Sequence, residues 1–116
     1  MADEVVVGAT RRDLVISLVD AQTGAPIVLT GGSAKVQGKS SDLAAVTIDA
    51  VMTLTDPANG KVTYSGLGGL VSQANLNTAG ILSATYPLRV RYVDAAAKVD
   101  YSPQFEIIFK SNPLGT

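Results

Sequence analysis

The chain has 116 residues, enough for one domain with a sizeable core; 47% are apolar but only 5% aromatic. It contains no histidine, cysteine or tryptophan, which excludes disulfides, thiolate chemistry, Ser-His and Cys-His arrangements, Cys-based zinc sites and tryptophan stacking faces. The formal charge of −1 comes from scattered residues of both signs, so there is no footprint for nucleic acid, and no apolar run is long enough for a membrane-spanning helix.

Met1-Ala-Asp-Glu lacks the basic n-region and apolar run of a secretory signal, so synthesis in the cytoplasm without Sec export is expected. Val5-Val6-Val7 reads either as a short strand or as an arm. In Asp13–Asp20, Leu14, Ile16 and Leu18 alternate with Val15, Ser17 and Val19, which is a strand with its second face partly covered. Ala21–Gly24 is a turn, Pro26–Leu29 a short extended piece, and Ser33–Gln37 a further strand before the polar loop Gly38–Asp42. Val46, Ile48, Ala50, Met52 and Leu54 share one face of a long strand running to Thr55. Asp56-Pro-Ala-Asn-Gly60 is a turn in which Asp56 accepts from downstream backbone N–H groups and Pro57 presets φ. Lys61–Ser65 returns as its hairpin partner, with Val62 and Tyr64 inward.

Leu67–Gly80 breaks the period and reads as a long connection; no segment shows both a helical period and caps. Leu82–Val93 follows with the clearest pattern in the chain. Leu82, Ala84, Tyr86, Leu88, Val90 and Tyr92 alternate with Ser83, Thr85, Pro87, Arg89 and Arg91, so one face of a long strand is apolar and the other wet. Asp94–Asp100 turns the chain. The last strand starts at Val99 and Tyr101 and continues through Phe105, Ile107 and Phe109 on one face. Pro87 and Pro103 lack a ladder donor and mark strand edges or bulges.

These elements predict an all-β chain: a single Ig-like antiparallel β-sandwich of about seven to eight strands. Residues 1–12 form an N-terminal arm, 13–110 the sandwich and 111–116 a tail. The Cys-Trp-Cys signature of antibody domains is absent, so the likeness is one of architecture.

The polar residues point to surface roles. Asp49 on a wet face and Asp56 in a turn read as solvated carboxylates rather than an acid–base pair. The Asp-bearing turns lack the dense ligand spacing of a calcium loop. Arg89 and Arg91, with Arg11 and Arg12, are either a basic patch for a partner or charges that discourage stray sheet pairing. Gly66–Val71 is either a docking loop using Leu67, Leu70 and Val71 or a loop tucked onto its own sandwich. Val5–Val7 adds a strand either to its own sheet or to a neighbour's edge. The interface expected from sequence is therefore Val5, Val6, Val7, Arg11, Arg12, Leu67, Leu70, Val71, Arg89 and Arg91.

The pieces Asp13–Asp20, Gly24–Gly31, Asp56–Tyr64, Leu76–Gly80, Val90–Asp94 and Pro103–Ile107 span roughly Arg12 to Lys110. In order and spacing they resemble the small β-sandwich domains of tailed-phage virions. The best known of these is the N-terminal domain of the baseplate upper protein family, with relatives in tail-fibre, head-fibre and decoration proteins. The stretch Leu67–Gln73 is longer than is usual there. The resemblance implies a non-enzymatic structural protein of the virion that acts through protein–protein interfaces as a homo-oligomer among other virion proteins. It carries no catalytic residues to transfer; composition, charge and loop spacing point to no cofactor, metal, nucleic acid or membrane partner, and a small-molecule ligand is not expected. The alternative is a bacterial surface or carbohydrate-binding sandwich module.

Overall fold

The computed structural model describes residues 3–114. Among them, alternating apolar side chains build nine strands: β1 (Asp3–Val6), β2 (Leu14–Ser17), β3 (Ser33–Lys39), β4 (Thr47–Val51), β5 (Thr53–Asp56), β6 (Lys61–Tyr64), β7 (Ser83–Val93), β8 (Val99–Tyr101) and β9 (Phe105–Lys110). The larger sheet has the order β1-β9-β7-β3-β4, with β8 also on β7, and the smaller sheet is β2-β6-β5. The second is the B-E-D sheet of an immunoglobulin-type sandwich and the first its G-F-C sheet extended by a C′ strand. The expected all-β sandwich is thus present, with one strand more than foreseen. Its pairing is antiparallel except for β1, which runs parallel to β9 from Asp3 opposite Ile107 to Val6 opposite Lys110.

The core lies between the two sheets. Val36, Tyr86, Leu88, Val90, Ile107 and Phe109 from the large sheet pack with Leu14 and Val62 from the small one and with Leu18 just after β2. Tyr86 and Phe109 meet edge to face, with centroids 5.4 Å apart at 86°. The Tyr86 hydroxyl donates to Val46 O at 2.8 Å, so the buried phenol is satisfied by the segment entering β4.

Three expectations are corrected. Val46–Thr55 is two strands rather than one. The chain leaves the large sheet at Met52, whose N–H donates to Ala34 O at 2.9 Å, and enters the small sheet at Thr53. Alternation continues unbroken through the crossing because both inner faces look into one core. Second, the connection after Leu67 contains a helix, α1 (Gln73–Ala79). Ser72 and Asn75 form a reciprocal capping box and Gly80 closes the helix at φ 69°. Two turns bury only Gln73 and Leu76, too few for a period to register. Third, Leu82 is 80% exposed, because it lies beyond the last β7–β9 pair, Ser83 with Lys110.

Both prolines sit where the ladder yields. Pairing of β7 with β3 stops at Leu88 opposite Gly38, and Pro87 lies just past it. There Ser40 Oγ donates to Thr85 O at 2.6 Å and Asp42 Oδ2 accepts from Thr85 N–H at 3.1 Å, replacing strand backbone with side chains. Pro103 lies in a bulge that divides the last strand into β8 and β9. Arg91 faces Tyr101 and Leu88 faces Phe105, so Arg89 and Val90 oppose Ser102, Pro103 and Gln104. Ser102 Oγ accepts from Val90 N–H at 2.9 Å and closes the gap.

Burial raises the pKa of the Tyr86 phenol; burial, then Asp100 and Asp20, raises that of Tyr92. The folded state therefore holds these protons more tightly than the unfolded chain. The associated stability is fully present below the unfolded value of about 10 and is lost as pH rises through the higher folded values. Urea midpoints measured from neutral pH to about pH 11 are expected to fall only above about pH 10. Tyr86→Phe should make that fall shallower; an equally steep fall would remove Tyr86 from the explanation.

Candidate functional site

The outer face of the large sheet carries the greatest concentration of unspent chemistry. Alternation that sends Ala34, Val36, Val90 and Tyr92 inward sends Lys35, Gln37, Lys39, Arg89 and Arg91 outward. Register aligns them in rows: Tyr101, Arg91, Lys35 and Val51 form one row, and Arg89, Gln37 and Asp49 the next. Lys39 and Glu106 stand on either side of Pro87 at the far end.

Five cations on this face, Lys35, Lys39, Arg89, Arg91 and Lys110, meet three acids, Asp49, Glu106 and Glu4, on a chain whose formal charge is −1. Asp49 accepts from Gln37 Nε2 at 3.0 Å and lies 3.9 Å from Lys35 Nζ. Among the described residues, the ion pairs are Arg12–Asp3, Lys35–Asp49 and Lys110–Glu4, so Lys39, Arg89 and Arg91 have none. At one end of the face Tyr101 is 50% and Val51 70% exposed. A shallow groove of about 380 Å³ runs between Gln37, Lys39, Asp49, Arg89, Tyr101 and Gln104. This mixture of free cations, planar amides and partly apolar surface can bind an acidic, partly apolar partner.

Of the other expected interface residues, Val6 lies on this face at its β1 edge, and the rest fall elsewhere. Val5, Val7, Leu67 and Val71 are core residues at 6% exposure or less, so none of them is a docking side chain. The arm is a strand of its own sandwich and the loop is its cover. Gly8 N–H donates to Gly68 O at 2.8 Å, Gly68 N–H to Ala9 O at 3.0 Å, and Leu67 N–H to Arg12 O at 2.8 Å. Arm and loop each bury apolar side chains that neither can hide alone. Leu70 is half-buried, and Val6 stays on the surface beside Lys110. Arg12 pairs with Asp3 at 3.0 Å and donates to Glu4 O at 2.7 Å, stapling β1 down, while Arg11 is exposed. Of the expected set, only Arg89 and Arg91 share the outer face of β7.

The acidic turns spend their carboxylates on their own loops. Asp20 Oδ1 accepts from Gln22 and Thr23 N–H, and Asp94 Oδ1 from Ala96 and Lys98 N–H. Asp56 takes the Asn59 side-chain amide at 2.9 Å instead of the expected backbone N–H. No three acidic side chains converge among the described residues.

Lys35, Gln37, Lys39, Asp49, Tyr101 and Gln104 were not expected at the site. Their outward direction is readable from alternation, but which strands adjoin β7 is decided only by the folded sheet order. Set beside known proteins, the chain matches no family model and no curated protein.

Proposed function

We propose that this chain is a non-enzymatic assembly module that binds an acidic protein surface through the outer face of its large sheet. Following the resemblance in strand order and turns, we place it as a structural component of a tailed-phage particle, on head, tail or baseplate. The observation that carries the interface is the set Lys39, Arg89 and Arg91: cations without ion-pair partners, beside the half-exposed Tyr101. The sheet fixes the backbone that carries these cations, so binding orders their side chains but no segment of chain.

Co-sedimentation with purified heads and tails of the phage encoding the chain tests this reading. Capture is expected to weaken as salt rises. Arg89→Glu combined with Arg91→Glu should reduce it by an order of magnitude or more. Undiminished capture of that double variant would remove this face from the reading; no capture of the parent chain would remove the phage role.

One observation favours a second reading, a carbohydrate-binding module. Tyr101 offers a half-exposed ring beside the Gln37 and Gln104 amides and Arg89, in one groove. Glycan-array binding by the isolated chain, abolished by Tyr101→Ala, would decide for it.

A further inference from the structure

We infer that the free edge of β2 pairs with the same edge of a second copy, antiparallel about a two-fold axis at Ile16. The inference does not depend on the phage role. β2 is the outermost strand of the small sheet, with β6 on its other side. Leu18 N–H donates to Gly60 O in line with the β6 ladder, so Leu14 and Ile16 also spend their backbone groups on that side. The N–H and C=O groups of Val15, Ser17 and Val19 consequently point to the open edge.

Nothing in β2 guards that edge. Leu14-Val-Ile-Ser17 has no charge and no proline; Val15 within it is 50% exposed and Val19 just past it 55%. Beside it the sandwich is open. A groove of about 860 Å³ separates β2 from the bulge between β8 and β9. Ile16, Ile27, Phe105 and Tyr92 line it, with Asp20, Asp100 and Arg89 on its wall, so it shares Arg89 with the groove on the outer face. A strand laid along β2 would close this gap.

Charge selects the occupant. Arg11 and Arg12 precede β2 and Asp20 follows it. With Ile16 on the axis, Val15 and Ser17 exchange edge hydrogen bonds with Ser17 and Val15 of the second copy. The same register sets each Arg12 opposite Asp20 of the other chain, where its guanidinium, already paired with Asp3 and donating to Glu4 O of its own chain, would take a second carboxylate. Centring on Ser17 sets Arg12 opposite Gln22, and centring on Val15 sets it opposite Leu18, so the charges match in one register of the three. Asp20 uses Oδ1 for its own turn, and Oδ2 has no partner among the described residues. Arg11 adds an unpaired cation at the same end. The two grooves would then face each other across the new ladder and share their apolar linings.

Light-scattering mass of the full chain from about 1 µM to about 1 mM tests the pairing, a range that covers weak to moderate self-association. Mass rising from one copy to two is expected, and one copy throughout would overturn the proposal. Ser17→Pro deletes an edge donor at a position where edge strands tolerate proline, and should hold the chain monomeric with an unchanged circular dichroism spectrum. Asp20→Asn keeps the turn acceptor but removes the charge, and should raise the dimer Kd on the order of fivefold. If Ser17→Pro fails to fold, Ile16→Cys decides. Non-hydrogen-bonded residues facing each other lie about 4.5 Å apart between Cα atoms, within disulfide range. The chain has no other thiol. Oxidised glutathione should therefore link Ile16→Cys into dimers much faster than Val15→Cys; equal or absent linkage would overturn the register. A dimer that survives Ser17→Pro but dissolves in the Arg89→Glu, Arg91→Glu variant would move self-association to the outer face and overturn the inference while leaving that face a binding surface.

Discussion

Phe109→Ala is expected to destabilise the fold by about 3–5 kcal/mol, the range for emptying a fully buried aromatic site. Phe109 has no exposed surface and stands edge to face with Tyr86, on the strand that joins β7 to β1. Three neighbouring strands lose packing at once, and backbone ladders on both sides of β9 hinder collapse into the space. Such a loss is a large part of the 5–15 kcal/mol that holds a typical domain together. Urea unfolding should show a lower midpoint with an unchanged slope. Phe105→Ala, at a half-buried position of the same strand, is the comparison and should cost clearly less. Equal costs would mean that burial at Phe109 is not what holds β9.

The second large effect concerns two adjacent glycines that look equivalent in the sequence. A Cβ on Gly68 would come within 2.4 Å of Ala9 O, 2.5 Å of Val6 O and 2.8 Å of Ala9 N. All three are backbone atoms at the end of β1 and in the connection after it, so relief requires moving the arm. Gly68→Ala is expected to cost about 1–3 kcal/mol and to speed amide hydrogen exchange in β1 before the rest of the sheet. A Cβ on Gly69 meets nothing within 4 Å, and its φ is not positive. Gly69→Ala should be neutral or stabilising by up to about 1 kcal/mol, because it restricts the unfolded chain. If both variants behaved alike, the arm would not be seated on this loop as described.

The sandwich was legible because a period of two survives in the sequence wherever one strand face is buried. Ala84 to Tyr92 on β7, and Ile107 with Phe109 on β9, were read inward and are inward. The same cue misled at Leu82, where the apolar pattern outlasts the sheet. It was silent at Met52, where the chain changes sheets without changing faces. Helix α1 is too short for a period, yet Ser72, Asn75 and Gly80 held a capping signal that a search for caps alone would have found.

For the candidate site, Arg89 and Arg91 could be assigned to one outward face from spacing alone. By itself the sequence determined which residues seek a core, which turns close on their own carboxylates, and the absence of histidine, cysteine and tryptophan chemistry. Those are local properties, set by side-chain identity and the pleat. Only the tertiary structure decided that Val5, Val7, Leu67 and Val71 are core residues, that Lys35 and Tyr101 flank Arg91, and that β2 ends its sheet with an open edge. Strand adjacency and shared burial depend on contacts between segments far apart in the chain, and no local pattern encodes which segment becomes the neighbour.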